Sequence, residues 1–395
     1  MASVSFWSVV DHAKAASKES YVHAYQLLLI GLTKYVVERC HLECVFLWLS
    51  ARLQDVLTIV FAGKYKTRND ERVSYSLVNI ASPRFNLDPK YAADARTMFP
   101  WKDPSKICVN DHVYNNHFMI MCAKLAYEDS RIVEDVVSTK WGMKNFCLIR
   151  IRETVSAYLF TTERAVVVVF QGTEPLNLAQ IIVDAAAVPT PLPDGKGGVH
   201  YGFYTALVRQ PDSGKGGNAL QQIQTVLNMP ANKPREVFVT GHSLGGAFAN
   251  VFCQLADPAI QARMTCITFG QPRTGDTQYR DSFESMFERK NIRFVHAADI
   301  VPKALHMADL RHVQKERFVT KDGRFLDDPE DIEFNRRSQL WLSPLYSIAD
   351  ALGYLVQPGQ RFLQAVFLVS LIPIPGLGDH FPSQYEHHLT GLLTQ

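Results

Sequence analysis

Glu236-Val-Phe-Val-Thr-Gly-His-Ser-Leu-Gly-Gly-Ala-Phe-Ala-Asn250 is the stretch whose reading decides the architecture of this chain. It opens on a short run rich in β-branched and aromatic residues and ends in a helix-forming apolar run that continues to Ala256. Between the two lies Gly241-His242-Ser243-Leu244-Gly245. A bare G-x-S-x-G is a weak signal, but a strand before it and a helix after it give it physical content. Small residues on either side of Ser243 let the backbone turn sharply and lift the hydroxyl off the end of a sheet, with a helix N-terminus beneath it.

The neighbouring segments agree with that reading. Val155–Phe160 and Ala165–Phe170 are β-rich runs separated by Thr161-Thr162-Glu163-Arg164, which predicts a hairpin. Ala165-Val-Val-Val-Val-Phe170 is continuously apolar, as expected of a strand buried on both faces. Thr265–Phe269 and Ile292–His296 are further strand candidates, and His117–Glu128 and Ala247–Ala256 have helical spacing. Strands alternating with helices predict an α/β fold around a central, mostly parallel sheet.

Composition narrows the function classes. The 395 residues are 47% hydrophobic, with 41 Lys+Arg against 39 Asp+Glu, and no basic tract carries interleaved aromatics, which argues against a nucleic-acid partner. The seven cysteines are odd in number, scattered, and without a C-x-x-C pair, arguing against a disulfide scaffold or a zinc site and for a reducing compartment. The first ten residues lack the basic n-region of a secretory signal.

A serine nucleophile needs a base, and the base an orienting acid, which in strand–elbow–helix sites follow it in the order acid, then histidine. Asp299 ends the run Ile292-Arg-Phe-Val-His-Ala-Ala-Asp299, at the carboxyl end of a strand; Asp276, in a turn, is its nearest rival. Among thirteen histidines, His380 lies in the glycine-rich loop Pro375-Gly-Leu-Gly-Asp-His380 leading into a final helix, where an imidazole can reach both partners. His242 should point away from Ser243, His296 reads as packing or as a support behind the site, His306 and His312 follow the acid too closely, and His387 and His388 are expected on the exposed side of the final helix. An oxyanion hole requires two preorganised N–H groups. Leu244, after the nucleophile, supplies one, and Thr173, after the strand ending Phe170-Gln-Gly-Thr173, the other. Glu174–Asp184 could form a short helix with Leu178, Ile181 and Ile182 on one face, a lid candidate.

Taken in order, Phe170-Gln-Gly-Thr173, Val199-His-Tyr-Gly-Phe203, the Gly241–Gly246 elbow, Thr268-Phe-Gly-Gln-Pro-Arg273, Asp299-Ile-Val-Pro302 and Asp379-His380…Tyr385 resemble the class 3 lipases, the family of fungal triacylglycerol lipases and their plant relatives. Gly172-Thr-Glu-Pro175, the Ala123-Lys-Leu-Ala-Tyr-Glu128 helix and a long apolar insert before the histidine look like the plant oil-body lipases. The likeness is dense over about 115–395 and thin before residue 75. It implies an α/β-hydrolase fold, a serine carboxylic-ester hydrolase acting on triacylglycerol without cofactor or metal, and a setting on a lipid droplet or membrane inside the cell. It assigns Ser243 as nucleophile, His380 as base and acid, Asp299 as orienting acid, Thr173 and Leu244 as oxyanion hole, and residues 174–183 as lid. Two positions depart from the family: Gln171 stands where Arg is usual, and the lid lacks the fungal tryptophan.

The expected organisation is an apolar helical N-terminal extension and linker over 1–110, a candidate lipid-surface anchor, and a hydrolase domain over 111–395 with an insert at 305–375. Within the extension, Ala24–Val37 and Val45–Ala62 are apolar, but Arg52, Gln54 and Asp55 interrupt the second. Central charges disfavour a spanning helix. A hairpin dipping into one membrane face, an amphipathic interfacial helix, and a buried helix pair packed on the main domain all remain consistent with the pattern. Within the insert, Leu340–Val356 and Phe362–Ile374 read either as an acyl-binding or interfacial surface or as core helices. A phospholipase A1 or galactolipase, and an inactive droplet-binding protein, are the competing functions.

Overall fold

A computed structural model of the chain describes residues 62–80, 86–151, 156–173, 189–210, 217–303, 310–314, 316–327, 331–332 and 376–393. The apolar stretches at 24–61, the lid candidate at 174–183 and the apolar pieces of the insert at 340–374 lie outside the described residues. Among the described residues, no helix is long and apolar enough to cross a membrane.

A short antiparallel hairpin, β1 (Lys64–Lys66) with β2 (Arg72–Ser74), comes first. The central sheet then takes eight strands: β3 (Lys144–Arg150), β4 (Ser156–Thr161), β5 (Ala165–Phe170), β8 (Glu236–His242), β9 (Met264–Phe269), β10 (Asn291–His296), β11 (Glu316–Val319) and β12 (Phe325–Leu326). A side hairpin, β6 (Pro189–Pro191) with β7 (Gly198–His200), stands apart from it. In space the order is β12-β11-β10-β9-β8-β5-β4-β3. The five strands from β5 to β11 are parallel, while β3, β4 and β12 extend the edges antiparallel. This is the α/β-hydrolase arrangement, with the serine elbow on a central strand.

The apolar run of β5 splits by pleat, one residue in two to each face. Val166, Val168 and Phe170 pack with Val237 and Val239 of β8 against the helices Tyr201–Val208, Leu244–Leu255 and Thr277–Phe287. Ala165, Val167 and Val169 face the helices Val113–Leu125 and Pro382–Leu393 with Phe238 and Phe269. Both faces are therefore covered, which is why the run lacks polar alternation.

Residues 62–110, expected as linker, share that second core. Tyr65, Val73, Leu87, Ala95 and Phe99 are buried in it, Tyr65 donates to Asp135 at 2.5 Å, and the Trp141 indole donates to the Leu87 carbonyl at 3.1 Å. After Ala62 the chain forms the hairpin β1–β2, followed by a short helix, Leu77–Ile80.

Candidate active site

Strand β8 delivers Ser243 at φ 58°, ψ −130°, a conformation that non-glycine residues hold only under surrounding constraint. The constraint is visible. The Ser243 N–H donates to the Phe269 carbonyl at 2.9 Å, and the Gly246 N–H to the Ser243 carbonyl at 2.9 Å, starting the helix. A Cβ on Gly241 would stand 2.2 Å from the Gly245 carbonyl carbon, and one on Gly245 would stand 2.2 Å from the Phe170 carbonyl oxygen. The elbow needs glycine at both places because backbone passes there.

Beyond β10 the chain turns through Ala297 (φ 43°) and brings Asp299 into full burial. Its Oδ1 accepts from the Val301 N–H at 2.9 Å and its Oδ2 from the Tyr385 hydroxyl at 2.5 Å. His380 Nδ1 lies 2.9 Å from both carboxylate oxygens. A ring nitrogen facing a carboxylate carries the proton, so Nε2 is left as the free base. Gly270, at φ +58°, makes room for the pair, since a Cβ there would come within 2.8 Å of Asp299 Oδ2 and 3.0 Å of His380 Nδ1.

His380 Nε2 and Ser243 Oγ are both buried without a hydrogen-bond partner. The structure therefore joins acid to base and leaves the serine–histidine hydrogen bond unmade. Free enzymes often hold this contact long until substrate tightens it.

His242 does not reach toward the reaction. Its Nδ1 meets the Tyr127 hydroxyl at 2.7 Å and its Nε2 the backbone carbonyl of His380 at 2.6 Å. Burial, together with the neighbouring His380, holds it well below the ordinary imidazole range, hence neutral. Nε2–H must then donate to the carbonyl, and Nδ1 accepts from Tyr127. From the other side, Asp379 accepts from Lys321 Nζ at 2.7 Å and from the Ala298 N–H at 3.2 Å, and its carbonyl meets His296 Nδ1 at 3.0 Å. Although Asp379 is buried, the Lys321 ammonium keeps its carboxyl below the usual range. Neither Lys321 nor the bracing role of His242 was legible from spacing, because each acts through contacts of long sequence separation; Tyr127 and Tyr385 were quoted only as parts of motifs.

Thr173 is half-buried and faces one cleft with Tyr127, His242 and His380. Leu244 is the first residue of the helix, where backbone N–H groups have no intrahelical partner. Gln171, in place of the family's arginine, braces the loop: its N–H donates to the Ser156 carbonyl at 3.0 Å, and its Oε1 accepts the Ser156 N–H at 3.1 Å. The rival Asp276 caps the helix Thr277–Phe287, accepting from the Tyr279 N–H at 2.8 Å and the Gly198 N–H at 2.7 Å. His312 Nε2–H donates to the Pro302 carbonyl at 2.7 Å. His387 and His388, expected to be exposed, are half-buried, and the His388 ring centroid lies 4.8 Å from that of His296. Among the described residues, no cluster of three His, Cys, Asp or Glu side chains has the arrangement to hold a metal.

The family described as Lipase (class 3) matches residues 167–308. Triacylglycerol lipase OBL1 of Arabidopsis thaliana is 24% identical over 326 residues, covering 67% of this chain and 62% of that protein. Phospholipase A1-II 3 of Oryza sativa subsp. japonica is 27% identical over 188 residues, 42% of this chain and 45% of that one. The alignments thus span between about half and three fifths of these relatives' lengths. Among solved structures, the triacylglyceride lipase of Rhizomucor miehei aligns at a TM-score of 0.43 and 20% identity, covering 53% of this chain and 80% of that one. The segment that matches the class 3 lipase family runs from β5 through the strand–elbow–helix serine and past Asp299.

Proposed function

We propose that this protein is a serine carboxylic-ester hydrolase, a triacylglycerol lipase working at the surface of a lipid droplet or membrane inside the cell. The observation that carries the reading is the buried Asp299–His380 pair, with its free Nε2 in a cleft shared with Thr173, beside the strained Ser243 elbow. In the proposed cycle, His380 Nε2 takes the Ser243 proton as Oγ attacks the ester carbonyl. The oxyanion is held by the N–H groups of Thr173 and Leu244. The same proton then goes to the departing glycerol oxygen, and water, deprotonated by His380, cleaves the acyl-serine to free fatty acid.

The name of the Arabidopsis relative, a triacylglycerol lipase, supports acylglycerol as substrate. Residues 24–61, and the lid at 174–183, are the proposed lipid-facing parts. Phospholipase A1 or galactolipase activity is the second reading, and the name of the rice relative favours it. Purified protein is assayed on emulsified triolein and on phosphatidylcholine vesicles, with Ser243→Ala alongside. Fatty acid from triolein that Ser243→Ala abolishes, with lipid binding retained, is the expected result. Release chiefly from vesicles would favour the second reading, binding without turnover an inactive droplet protein, and an undiminished rate in Ser243→Ala would dismiss the assigned nucleophile.

A further inference from the structure

The cleft beside His380 has a wall from an unexpected part of the chain. The free space inside it is about 10 Å³, room for about one water, so any hydrocarbon lying beside His380 has to press on the residues that line it. Thr173 and His380 form its reactive end, and Leu377, Phe381 and Val78 its apolar sides. Val78 is buried, and it belongs to the short helix that precedes the hydrolase region.

That helix is built into place. Glu128 accepts the Ser76 N–H on Oε2 at 2.8 Å and the Asn79 amide on Oε1 at 2.6 Å. The same Asn79 amide donates to the Lys124 carbonyl at 3.0 Å, and Ser76 Oγ accepts the Val78 N–H at 3.2 Å. Asn79 is fully buried, so this is an interior joint holding Val78 toward the cleft from one side. A solvated linker needs no such joint.

We propose that Val78 is a specificity-determining residue: it closes the inner end of the acyl site, and residues 75–80 are a wall of that site rather than a tether to it. The inference rests on the ester-hydrolase reading above. The apolar sides fit the hydrocarbon chain attached to the scissile carbonyl, and the size of residue 78 limits the chain that lies beside His380. A pocket wall discriminates hydrocarbon by about 10-fold or somewhat more per methylene-sized change, which sets the scale of the effect.

The test compares kcat/KM for p-nitrophenyl octanoate and p-nitrophenyl acetate, both as monomers in solution, in wild type, Val78→Phe, Val78→Ala and Asn79→Ala. Active protein is counted by labelling with a fluorophosphonate. The octanoate-to-acetate ratio is expected to fall at least about fivefold in Val78→Phe and to rise at least about twofold in Val78→Ala. Asn79→Ala, which frees the joint, should move the ratio in the direction of Val78→Ala. If Val78→Phe does not fold, the other two variants carry the test. Ratios within twofold of wild type in every folded variant overturn the proposal while leaving the hydrolase intact. A wild-type chain that neither hydrolyses any ester nor takes the label overturns the underlying reading instead.

Discussion

Asp299→Asn is the sharpest perturbation of the proposed catalytic apparatus, because the geometry dictates what the amide must do. Both oxygens of Asp299 already accept: Oδ1 from the Val301 N–H, Oδ2 from Tyr385, and each lies 2.9 Å from His380 Nδ1. An asparagine keeps one acceptor. The rigid Val301 N–H claims it, whereas the Tyr385 hydroxyl can rotate and accept, so the NH₂ group takes the place of Oδ2. It then offers a proton to His380 Nδ1, favouring the tautomer with hydrogen on Nε2, which cannot take the Ser243 proton. The same substitution in a serine protease triad costs about 10⁴ in kcat, and we expect kcat/KM on a soluble ester to fall by about 10³–10⁴, or about 4–5.5 kcal/mol of transition-state stabilisation. Stopped spectrophotometric assays on p-nitrophenyl butyrate, with a thermal melt to confirm folding, measure it. A folded variant that loses less than tenfold would refute the assignment of Asp299 as the orienting acid.

Two further expectations concern the same interior. Tyr385→Phe removes the donor to Asp299 and the acceptor of the His296 N–H, 3.1 Å away, so kcat should fall about tenfold at little-changed KM, with about 1–3 kcal/mol lost in urea melts; unchanged kcat and stability would count against it. Burial pushes the Glu128 carboxyl up to about 7 from 4.5, against the pull of Asn79 and Ser76. The folded chain thus binds the extra proton between those values, and stability falls as pH rises through that window, by up to about 3 kcal/mol. His117, which burial lowers to about 3, gives the opposite slope, so the readout is wild type relative to Glu128→Gln between pH 4.5 and 7.5. Parallel stability curves for the two proteins would contradict it.

The sheet was legible where burial is two-sided. Ala165–Phe170 is apolar throughout, Thr265–Phe269 and Ile292–His296 are rich in β-branched and aromatic residues, and the observed strands match all three to within a residue. Strand β11 was not foreseen, since Glu316 and Arg317 break its apolar run and only pairing with β10 makes it a strand. The helix Thr277–Phe287 carried a signal that could have been read, with Tyr279, Phe283 and Phe287 four apart and Asp276 as its cap. Ser243, Asp299 and His380 could be named because each sits where strand or glycine-rich loop ends are written locally. Their supports could not. Tyr127 reaches His242 across 115 positions and Lys321 reaches Asp379 across 58, and no local pattern encodes such pairings.

The last turns of the helix Val113–Leu125, with the few residues after it, have a consequence of their own. Lys124, fully buried, reaches Glu386 of the helix Pro382–Leu393 at 3.5 Å; Tyr127 holds His242; Glu128 holds the 75–80 segment. Three parts of the molecule far apart along the chain are thus fastened to five consecutive residues. A hybrid made by exchanging any one of those parts with a homologous protein has to carry positions 124–128 along with it. Swaps that split this junction from its tenants should yield insoluble protein even when every crossover lies in a surface loop.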